Sequence, residues 1–353
     1  MRQSRKLDHI KYSLQIDDGP IANSFADFKL IHHCLPDLVW DELDLTSAVA
    51  GIALANPVII NAITGGAEDV GAINARLAEF AKFTGCTMAV GSQFAAIENQ
   101  SVEPSYRIIR QINPQGTVFA NLGAYAKPEH AQRAVDMIEA SAIQIHLNPA
   151  QEMMMTEGDR DFSGYLRNIA HIVKTVEVPV IVKEVGCGIA REQAQSLVDA
   201  GVRAIDVGGT GGANFVAIEA ARKNFRPEPE LLEWGIPTAI SSVEVDQVLP
   251  DNVDLIVSGG IRTSLDVVKA LALNGKAVGL ATPILKMIQQ CGVEQAVNWF
   301  NGFIETVQKY MVLVGAKDIP ALTGVPVVIT GYSAQWLTNR GFNLEKYANR
   351  CKA

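Results

Sequence analysis

The sequence has few cysteines and no long apolar run. Its five cysteines, Cys34, Cys86, Cys187, Cys291 and Cys351, form no CxxC pair and are odd in number, which argues against a disulfide framework and a structural zinc site. No apolar run approaches the roughly 20 residues that span a bilayer, and the basic N-terminus lacks the apolar segment of an export signal. These absences predict a protein of the reducing cytosol with no membrane segment.

Positive charge is also scarce. Against 38 acidic residues stand 30 lysines and arginines, which gives a net charge of −8, so nucleic acid is not predicted as a partner and an anionic ligand needs a local basic site.

Several catalytic motifs are also missing. The sequence has no HExxH, no clustered Cys/His ligands and no GxSxG, so zinc hydrolysis and a Ser-His-Asp mechanism have no support. No GxGxxG follows the first predicted strand, which disfavours a dinucleotide bound in the Rossmann manner.

A repeated unit fills most of the chain. After residue 56, short apolar runs end in Gly, Ser, Thr, Asn or Lys, and a helical stretch precedes the next run. Near-continuous apolar residues indicate strands covered on both faces, and the intervening helices indicate parallel crossovers. Eight such units predict an α/β protein with a (β/α)8 TIM barrel, and a doubly wound open sheet is the alternative. The predicted strands are residues 57–64, 87–92, 118–123, 142–148, 178–185, 204–209, 254–260 and 277–282.

Two helices illustrate the unit, and three segments depart from it. REQAQSLVDAG and SLDVVKALALNG are predicted helices that stop at a glycine, the second with its serine, Ser264, as N-cap. Residues 1–56 are predicted to be an N-terminal extension packed on a barrel of residues 57–330, and residues 331–353 an ordered C-terminal tail. Residues 210–237 form an overlong, charged connection after the sixth strand, which predicts a lid-like loop.

Polar residues follow the predicted strands, where TIM barrels carry their chemistry. Lys183 lies inside VPVIVKEV, where a buried ammonium needs an anion or an electron-rich group, and a salt bridge to a neighbouring Glu is the alternative. SGG at 258–260 and LATP at 280–283 follow the last two strands, where such barrels frequently bind phosphate. GGTGG at 208–212 permits close approach to a flat ligand, and glycines needed only for a turn are the alternative for SGG and GGTGG. Amides, hydroxyls and one lysine around a phosphate cup favour FMN.

Nine segments, in order and almost end to end, resemble the type 2 isopentenyl-diphosphate delta-isomerases. The most specific are RKxxH at the N-terminus and HLNPAQE after the fourth strand. The resemblance implies an FMN- and Mg²⁺-dependent (β/α)8 enzyme that interconverts isopentenyl and dimethylallyl diphosphate in isoprenoid biosynthesis, with NADPH as reductant of the flavin. It also implies a homo-oligomer, tetrameric or octameric. The segments are RKLDHI (5–10), ITGG (63–66), VGSQ (90–93), ANLG (120–123), HLNPAQE (146–152), VKEVG (182–186), AIDVGGTGGANF (204–215), WGIPTA (234–239) and SGGIRTSLDVVKALAL (258–273).

The same resemblance implies roles for individual residues. Glu152 would bind Mg²⁺, and the catalytic residues would be Gln151, Lys183 and His146. The substrate would be held by Arg5, Lys6, His9, His146, Asn148 and Gln151. The flavin would be held by Ala62, Ile63, Thr64, Ser92, Asn121, Lys183, Thr210, Ala213, Gly259, Gly260, Arg262, Ala281 and Thr282.

The implied reaction accounts for the dense polar stretch 146–152. Moving an alkene by one carbon requires a proton donor and acceptor together in a site closed to water, and reduced FMN can serve through its N5. Lys183 near N1 would favour the anionic reduced flavin, and Gln151, nearly non-basic, is assigned to orientation or proton relay. Taken alone, residues 146–152 could simply be a polar loop that caps a helix. Taken alone, Arg5, Lys6 and His9 would more simply be a solvated basic terminus.

One departure and two rival functions accompany the resemblance. Ala213 stands where the family usually carries Thr or Ser, so one hydroxyl contact to the flavin is in doubt, and Thr210 is a possible replacement. An FMN-dependent α-hydroxy-acid oxidase would share barrel and cofactor, but it needs a cationic carboxylate clamp and a His base. Residues 241–260 contain neither His nor Arg. A non-catalytic phosphate-ligand-binding barrel is the second rival.

Overall fold

The computed structural model of the chain describes residues 2–16, 18–63, 65–66 and 70–350, with only the backbone of residues 2–7. Eight parallel strands close into a barrel, and the last pairs with the first through Val278 beside Val58. The predicted (β/α)8 barrel is therefore confirmed, and the open doubly wound alternative is wrong. The strands are β1 (Val58–Ile60), β2 (Thr87–Ala89), β3 (Val118–Gly123), β4 (Ala142–Leu147), β5 (Val180–Glu184), β6 (Ala204–Asp206), β7 (Asp254–Ser258) and β8 (Gly275–Leu280).

Each strand lies inside one of the eight predicted runs or extends it by two residues. Most strand residues are buried, because helices cover the outside of the barrel and side chains fill its inside. The α-helices are Arg2–Gln15, Gly71–Thr84, Phe94–Glu98, Pro104–Ile112, Pro128–Ile138, Pro149–Met154, Tyr165–Thr175, Arg191–Asp199, Phe215–Lys223, Pro229–Leu232, Thr238–Asp246, Ser264–Ala272, Thr282–Cys291, Val293–Leu313, Ile319–Leu322, Gly331–Asn339 and Glu345–Ala348. Short 3₁₀ helices occupy Phe25–Asp27, Trp40–Glu42 and Gln100–Val102.

The helix Ser264–Ala272 differs from its prediction at both ends. Its N-cap is Thr263, whose hydroxyl accepts the Asp266 N–H at 3.1 Å while the Asp266 carboxylate accepts the Thr263 N–H, and Ser264 is the first helical residue. The helix is followed by Asn274 in the left-handed region, at φ +70°, and Gly275 already belongs to β8. Asn tolerates this conformation, which is why a glycine is not needed there.

The N-terminal extension closes one end of the barrel. Strands Ser47–Val49 and Ile52–Leu54 form an antiparallel hairpin. The side chains of Val49 and Leu54 pack against inward-facing residues of the barrel strands, including Ile59 and Phe119. Because this end is filled with apolar side chains, the open end for chemistry is the one where the strands terminate.

Two segments that flank the barrel in the sequence pair with each other outside it. Phe28–Leu30 pairs antiparallel with Val327–Ile329. Next to this pairing the Asp27 carboxylate accepts hydrogen bonds from Ser333 N and Oγ at 3.0 and 2.8 Å. The C-terminal segment continues with the helices Gly331–Asn339 and Glu345–Ala348, and the last described residue is Arg350.

The connection 210–237 after β6 contains two helices. Helix Phe215–Lys223 contacts the N-terminal helix Arg2–Gln15 and the short helix Pro149–Met154. Residues 210–237 therefore form a partly helical connection that packs on these two helices. In the part of the chain that the structure describes, no helix combines the length and the apolar character that crossing a membrane requires.

Candidate active site

A cavity of about 240 Å³ opens where the barrel strands end. All eight strand ends contribute to its wall, and the N-terminal helix and helix Phe215–Lys223 cover part of it. The lining residues are His9, Ile10, Ser13, Asn61, Ala62, Ile63, Gly91, Ser92, Phe94, Ala95, Asn121, Tyr125, His146, Asn148, Gln151, Glu152, Met155, Lys183, Glu184, Val185, Gly186, Gly208, Gly209, Gly212, Ala213, Phe215, Ser258, Gly259, Gly260, Arg262, Gly279, Ala281, Thr282 and Leu285.

Two glycine-rich loops pack backbone against backbone on one side of the cavity. A Cβ on Gly259, at φ +109°, would lie 2.2 Å from Gly209 O, and one on Gly260, at φ +69°, would lie 2.1 Å from Gly211 O. Larger residues are therefore excluded at both positions. The loops line the cavity beside the start of helix Thr282–Cys291, and glycine-rich loops next to a helix start are the kind of surface that binds phosphate.

Arg262 adds a cation to this side but is already paired. Its guanidinium binds both carboxylate oxygens of Asp18, from the segment that follows the N-terminal helix. The side chain of Arg262 is about one-third exposed, at 33%. A phosphate at this wall would meet the Arg262 charge already partly neutralised by Asp18.

Lys183 is buried at the end of β5. Its Nζ donates to the backbone O of Glu184 at 2.6 Å and lies 4.0 Å from Asp206 Oδ2 on β6. The predicted alternative of a salt bridge to a neighbouring Glu is not what forms, because Lys183 meets the carbonyl of Glu184 and not its carboxylate. An ammonium that lines a cavity and has one carboxylate at 4.0 Å is available to an electron-rich ligand.

The Glu184 carboxylate instead shapes the loop after β5. Its Oε2 accepts the backbone N–H groups of Val185, Gly186 and Cys187 at 2.7, 2.8 and 2.5 Å. Burial raises the pKa of Glu184 to about 7, although these three donors and the Lys183 charge act to lower it. Glu184 thereby holds Val185 and Gly186 in the cavity wall.

The stretch after β4 brings four predicted residues together. His146 Nδ1 lies 2.9 Å from Asn121 Oδ1, and Asn148 Nδ2 donates to Gln151 Oε1 at 3.2 Å and to Glu152 Oε1 at 2.9 Å. All five residues line the cavity. The packing of residues 146–152 thus presents an imidazole, two amides and a carboxylate to one space.

A carboxylate from another part of the chain completes this group. Glu219, fully buried on helix Phe215–Lys223, accepts Gln151 Nε2 at 3.2 Å and lies 2.6 Å from His9 Nε2. Arg222 Nη1 is 3.2 Å from its other oxygen. Burial acts to raise the pKa of Glu219, but the hydrogen bonds from His9 and Gln151 and the charges of His9 and Arg222 outweigh it, so the pKa lies below its ordinary value.

Aromatic rings and one tyrosine hydroxyl shape the remaining wall. Phe94 packs edge-to-face on Tyr125 with ring centroids 4.9 Å apart, and Phe215 packs in the same way on His9 at 5.9 Å. The buried Tyr106 hydroxyl donates to the backbone O of Ser92 at 2.5 Å, which fixes the loop after β2. These contacts give part of the cavity an apolar wall.

The structure brings most predicted site residues to the cavity. Those that line it are His9, Ala62, Ile63, Ser92, Asn121, His146, Asn148, Gln151, Glu152, Lys183, Ala213, Gly259, Gly260, Arg262, Ala281 and Thr282. Thr210 does not line it: the side chain is buried, the backbone N–H is bonded to Ile236 O, and the backbone O accepts the Thr238 hydroxyl. Thr64 and the side chains of Arg5 and Lys6 lie outside the described residues.

The prediction assigned no role to Tyr125, Glu184, Glu219 or Asp206, which lie at or beside the cavity. Tyr125 and Glu184 line it, Glu219 binds two of its lining residues, and Asp206 lies beneath it. A signal existed for Asp206, which interrupts an apolar strand as Lys183 does. Glu219 carries no such signal, because its importance arises from contacts with residues far away in the sequence.

The residues present suit a phosphorylated flat cofactor. Glycine loops and a helix start offer backbone donors to a phosphate, and Lys183 offers a buried cation to an electron-rich ring edge. Groups of three or more His, Cys, Asp or Glu residues that could hold a metal ion do not occur among the described residues. FMN therefore fits this cavity better than a metal held by the protein alone.

Comparisons with known proteins agree with this geometry. Residues 111–327 match the family described as FMN-dependent dehydrogenase. Among solved structures the chain is similar to a mandelate oxidase (TM-score 0.67, 18% identity, 93% of this chain and 96% of that one). It is also similar to a Pediococcus acidilactici protein described as a lactate oxidase (TM-score 0.69, 16% identity, 94% of each chain). At these identities the structural likeness shows the fold.

Closer relatives exist among curated sequences. The chain is 46% identical, over 99% of both chains, to the isopentenyl-diphosphate delta-isomerase of Symbiobacterium thermophilum. It is 45% identical, again over 99% of both chains, to the enzyme of the same name from a Geobacillus species. Identity of this extent, together with the FMN-dependent family match, shows that the chain belongs to the FMN-dependent, type 2 isopentenyl-diphosphate delta-isomerases.

Proposed function

We propose that the protein interconverts isopentenyl diphosphate and dimethylallyl diphosphate in isoprenoid biosynthesis, with FMN bound in its reduced form. The observation that carries the proposal is one cavity lined by two different sets of groups. One set is the glycine loops and the buried Lys183, and the other is His146, Asn148, Gln151 and Glu152. The first suits a flavin phosphate and ring, and the second suits a diphosphate attached to an alkene.

The flavin side is assigned from the donors that line it. FMN would be held by backbone groups of Ala62, Ile63, Gly259, Gly260, Ala281 and Thr282, by the side chains of Ser92, Asn121 and Lys183, and by Arg262 near the phosphate. Reduced FMN supplies, when bound, an atom that can exchange protons with the alkene carbons. Lys183 offers its positive charge to the reduced ring, and its hydrogen bond to Glu184 O keeps the ammonium in place.

Gln151 is proposed to orient the reacting alkene. Its amide is fixed at both ends, since Oε1 accepts from Asn148 and Nε2 donates to Glu219. An amide is too weak a base to remove an allylic proton, so orientation or relay of a proton is the role that its chemistry allows. The rings of Phe94, Tyr125 and Phe215 would limit water around the reacting carbons.

Glu152 is proposed as the protein ligand of Mg²⁺. One oxygen accepts from Asn148 and the other accepts the Asp159 N–H at 2.9 Å, which fixes the carboxylate and leaves lone pairs on both oxygens. Mg²⁺ characteristically binds one or two carboxylates, several waters and substrate phosphate oxygens. A single carboxylate beside a diphosphate meets that requirement.

The diphosphate itself is proposed to bind His9, Arg5, Lys6, His146 and Asn148. In the N-terminal helix residue 5 precedes His9 by four positions, so both belong to one face of the helix. This helix brings positive charge to a protein with a net charge of −8. NADPH as the reductant, a homo-oligomeric state and a cytoplasmic location complete the proposal.

The test separates this function from both rivals. The purified protein is expected to be yellow and to isomerise isopentenyl diphosphate only with Mg²⁺ and after reduction by NADPH or dithionite. An α-hydroxy-acid oxidase would instead consume oxygen with lactate or mandelate. A non-catalytic barrel would bind phosphate compounds without turnover. If the protein binds FMN but shows no isomerase activity under reducing conditions, the proposal is wrong.

A further inference from the structure

A chain of buried side-chain amides crosses the barrel from His146 on β4 to Asp206 on β6. His146 Nδ1 lies 2.9 Å from Asn121 Oδ1, and Asn121 Nδ2 donates to Gln144 Oε1 at 3.3 Å. Gln144 Nε2 donates to Asn61 Oδ1 at 3.4 Å, and Asn61 Nδ2 donates to Asp206 Oδ2 at 2.9 Å. All three amides and Asp206 are buried, so bulk water does not compete for these contacts.

Asp206 has the surroundings of an ionised carboxylate. Besides Asn61, it accepts the Ser258 hydroxyl at 2.5 Å and the Gly208 N–H at 3.3 Å, and Lys183 Nζ lies 4.0 Å away. An ionised carboxylate accepts hydrogen bonds and donates none. The chain of amides therefore ends on a group that can only accept.

The carboxylate of Asp206 determines how each amide in the chain is oriented. Asn61 donates its NH₂ to Asp206, so its oxygen faces Gln144 and accepts the NH₂ of Gln144. The oxygen of Gln144 in turn accepts the NH₂ of Asn121, so the oxygen of Asn121 is the one farthest along the chain from Asp206. The backbone N–H of Ala62 supports this orientation independently, because it donates to Asn61 Oδ1 at 3.0 Å. Asn121 consequently presents an oxygen, and not an NH₂, to His146.

The direction decides which states the His146 ring can adopt. An oxygen opposite Nδ1 accommodates a ring protonated on Nδ1, either neutral or as the imidazolium. A reversed chain would put an NH₂ opposite Nδ1, which permits only the neutral ring protonated on Nε2 and excludes the cation.

We propose that Asp206 is a positioning residue whose charge, relayed through Asn61, Gln144 and Asn121, holds His146 in the Nδ1–H state and so lets it be a cation toward an anionic ligand. The ligand is the diphosphate, a part of the proposal that rests on the proposed function. Asp206 thus acts on His146 without touching it, through three amide side chains that cross the interior of the barrel.

The direct test is Asp206→Asn in the FMN-loaded protein, labelled with ¹⁵N in its histidine rings. The chain has six histidines, and the His146 signals are identified by their loss in His146→Gln. At about pH 8.5, roughly two units above the ordinary histidine pKa, ¹⁵N NMR of the wild type should show His146 protonated on Nδ1. Asp206→Asn should shift His146 partly or wholly to the Nε2–H tautomer, because an amide at position 206 can donate. The KM for isopentenyl diphosphate should rise about tenfold, as expected for a weakened charge-assisted contact.

A second variant breaks the chain without touching a charge. Gln144→Met keeps the shape of the side chain but removes the link between Asn61 and Asn121, and the same tautomer change is expected. Ser258→Ala is the matched control, since it removes a donor to Asp206 and leaves the amide chain complete, so His146 should remain protonated on Nδ1.

Persistence of the Nδ1–H state in Gln144→Met, or its equal loss in Ser258→Ala, would overturn the proposal. The tautomer is read without turnover. An inactive wild-type enzyme would therefore contradict the proposed function, whereas the NMR result would still decide the role of Asp206.

Discussion

His9 Nε2 lies 2.6 Å from Glu219 Oε1, a contact that joins the N-terminal helix to helix Phe215–Lys223 across 210 residues of sequence. Gln151 donates to the same carboxylate oxygen. Glu219 therefore ties three elements together: the N-terminal helix, the connection after β6 and the loop after β4. A substitution of Glu219 should therefore lower both the stability of the fold and the catalytic activity.

Glu219→Gln is expected to lower the free energy of unfolding by about 3 kcal/mol at neutral pH, because it breaks a buried charge cluster. The native pKa of Glu219 lies below its ordinary value, so its contribution is present above the unfolded value of about 4.3 and is lost as pH falls through the native pKa. The gap to wild type, measured by denaturant unfolding across pH, should narrow below about pH 4. Glu305→Gln, which removes the carboxylate of an exposed pair with Lys309, is the control. A gap that stays constant with pH would contradict the assignment.

Lys183→Met should weaken FMN binding by about ten- to a hundredfold, the range expected for a lost charge-assisted contact of about 1.5–3 kcal/mol. FMN affinity is measured by titrating the apoprotein and following flavin fluorescence. Lys269→Met is the matched control, because Lys269 is also buried but donates to Phe25 O in the N-terminal extension. Unchanged affinity in Lys183→Met would remove Lys183 from the flavin site.

Glu152→Gln should retain FMN and the yellow colour but require much more Mg²⁺ for turnover. The neutral amide keeps one oxygen acceptor and loses the charge that attracts the cation. Activity is measured against Mg²⁺ concentration, with Glu157→Gln as a control from the same loop that pairs with Lys223 instead of lining the cavity. Superimposable Mg²⁺ curves for Glu152→Gln and wild type would mean that the metal binds elsewhere.

Arg5→Ala/Lys6→Ala should reduce kcat/KM by roughly two to four orders of magnitude, if each cation contributes about 1.5–3 kcal/mol to diphosphate binding independently. Steady-state kinetics with isopentenyl diphosphate measures the loss. Lys11→Ala, which removes an exposed cation from the same helix, should have little effect. Wild-type kinetics in the double variant would show that Arg5 and Lys6 do not bind the diphosphate and belong to a solvated basic terminus.

Ala213→Thr should tighten FMN binding, since it restores the hydroxyl that the family usually carries at a position lining this cavity. A neutral hydrogen bond of about 0.5–1.5 kcal/mol corresponds to about a two- to tenfold lower Kd. Ala213→Val has nearly the same shape without the hydroxyl and serves as the matched control. An equal gain in both variants would assign the effect to packing.

The sequence was sufficient to predict the barrel and most of its polar strand ends. Uninterrupted apolar runs such as the one that ends at Lys183 are typical of parallel strands, and TIM-barrel chemistry gathers where those strands end. The residues that escaped prediction act through long-range contacts. Glu219 lies in a connection that reads as a charged loop, and only the folded chain brings it to His9 and Gln151.

Local capping was harder to predict than the strands. Thr263 and Ser264 are adjacent and both are good N-cap residues, so the sequence alone does not distinguish which of them caps the helix. Thr210 shows a different limit. Thr210 is predicted only as a possible replacement for the hydroxyl missing at Ala213, but its backbone pairs with Ile236 and Thr238 and its buried side chain does not line the cavity.

The pairing of Phe28–Leu30 with Val327–Ile329 affects the order in which parts of the chain can fold during synthesis. Phe28–Leu30 is synthesised before the barrel, whereas its partner strand Val327–Ile329 and Ser333, which binds Asp27, are synthesised after it. Domains generally fold as synthesis proceeds from the N-terminus. Because the partner strand follows the barrel in the sequence, a nascent chain can fold much of its barrel before Phe28–Leu30 is anchored in its final position.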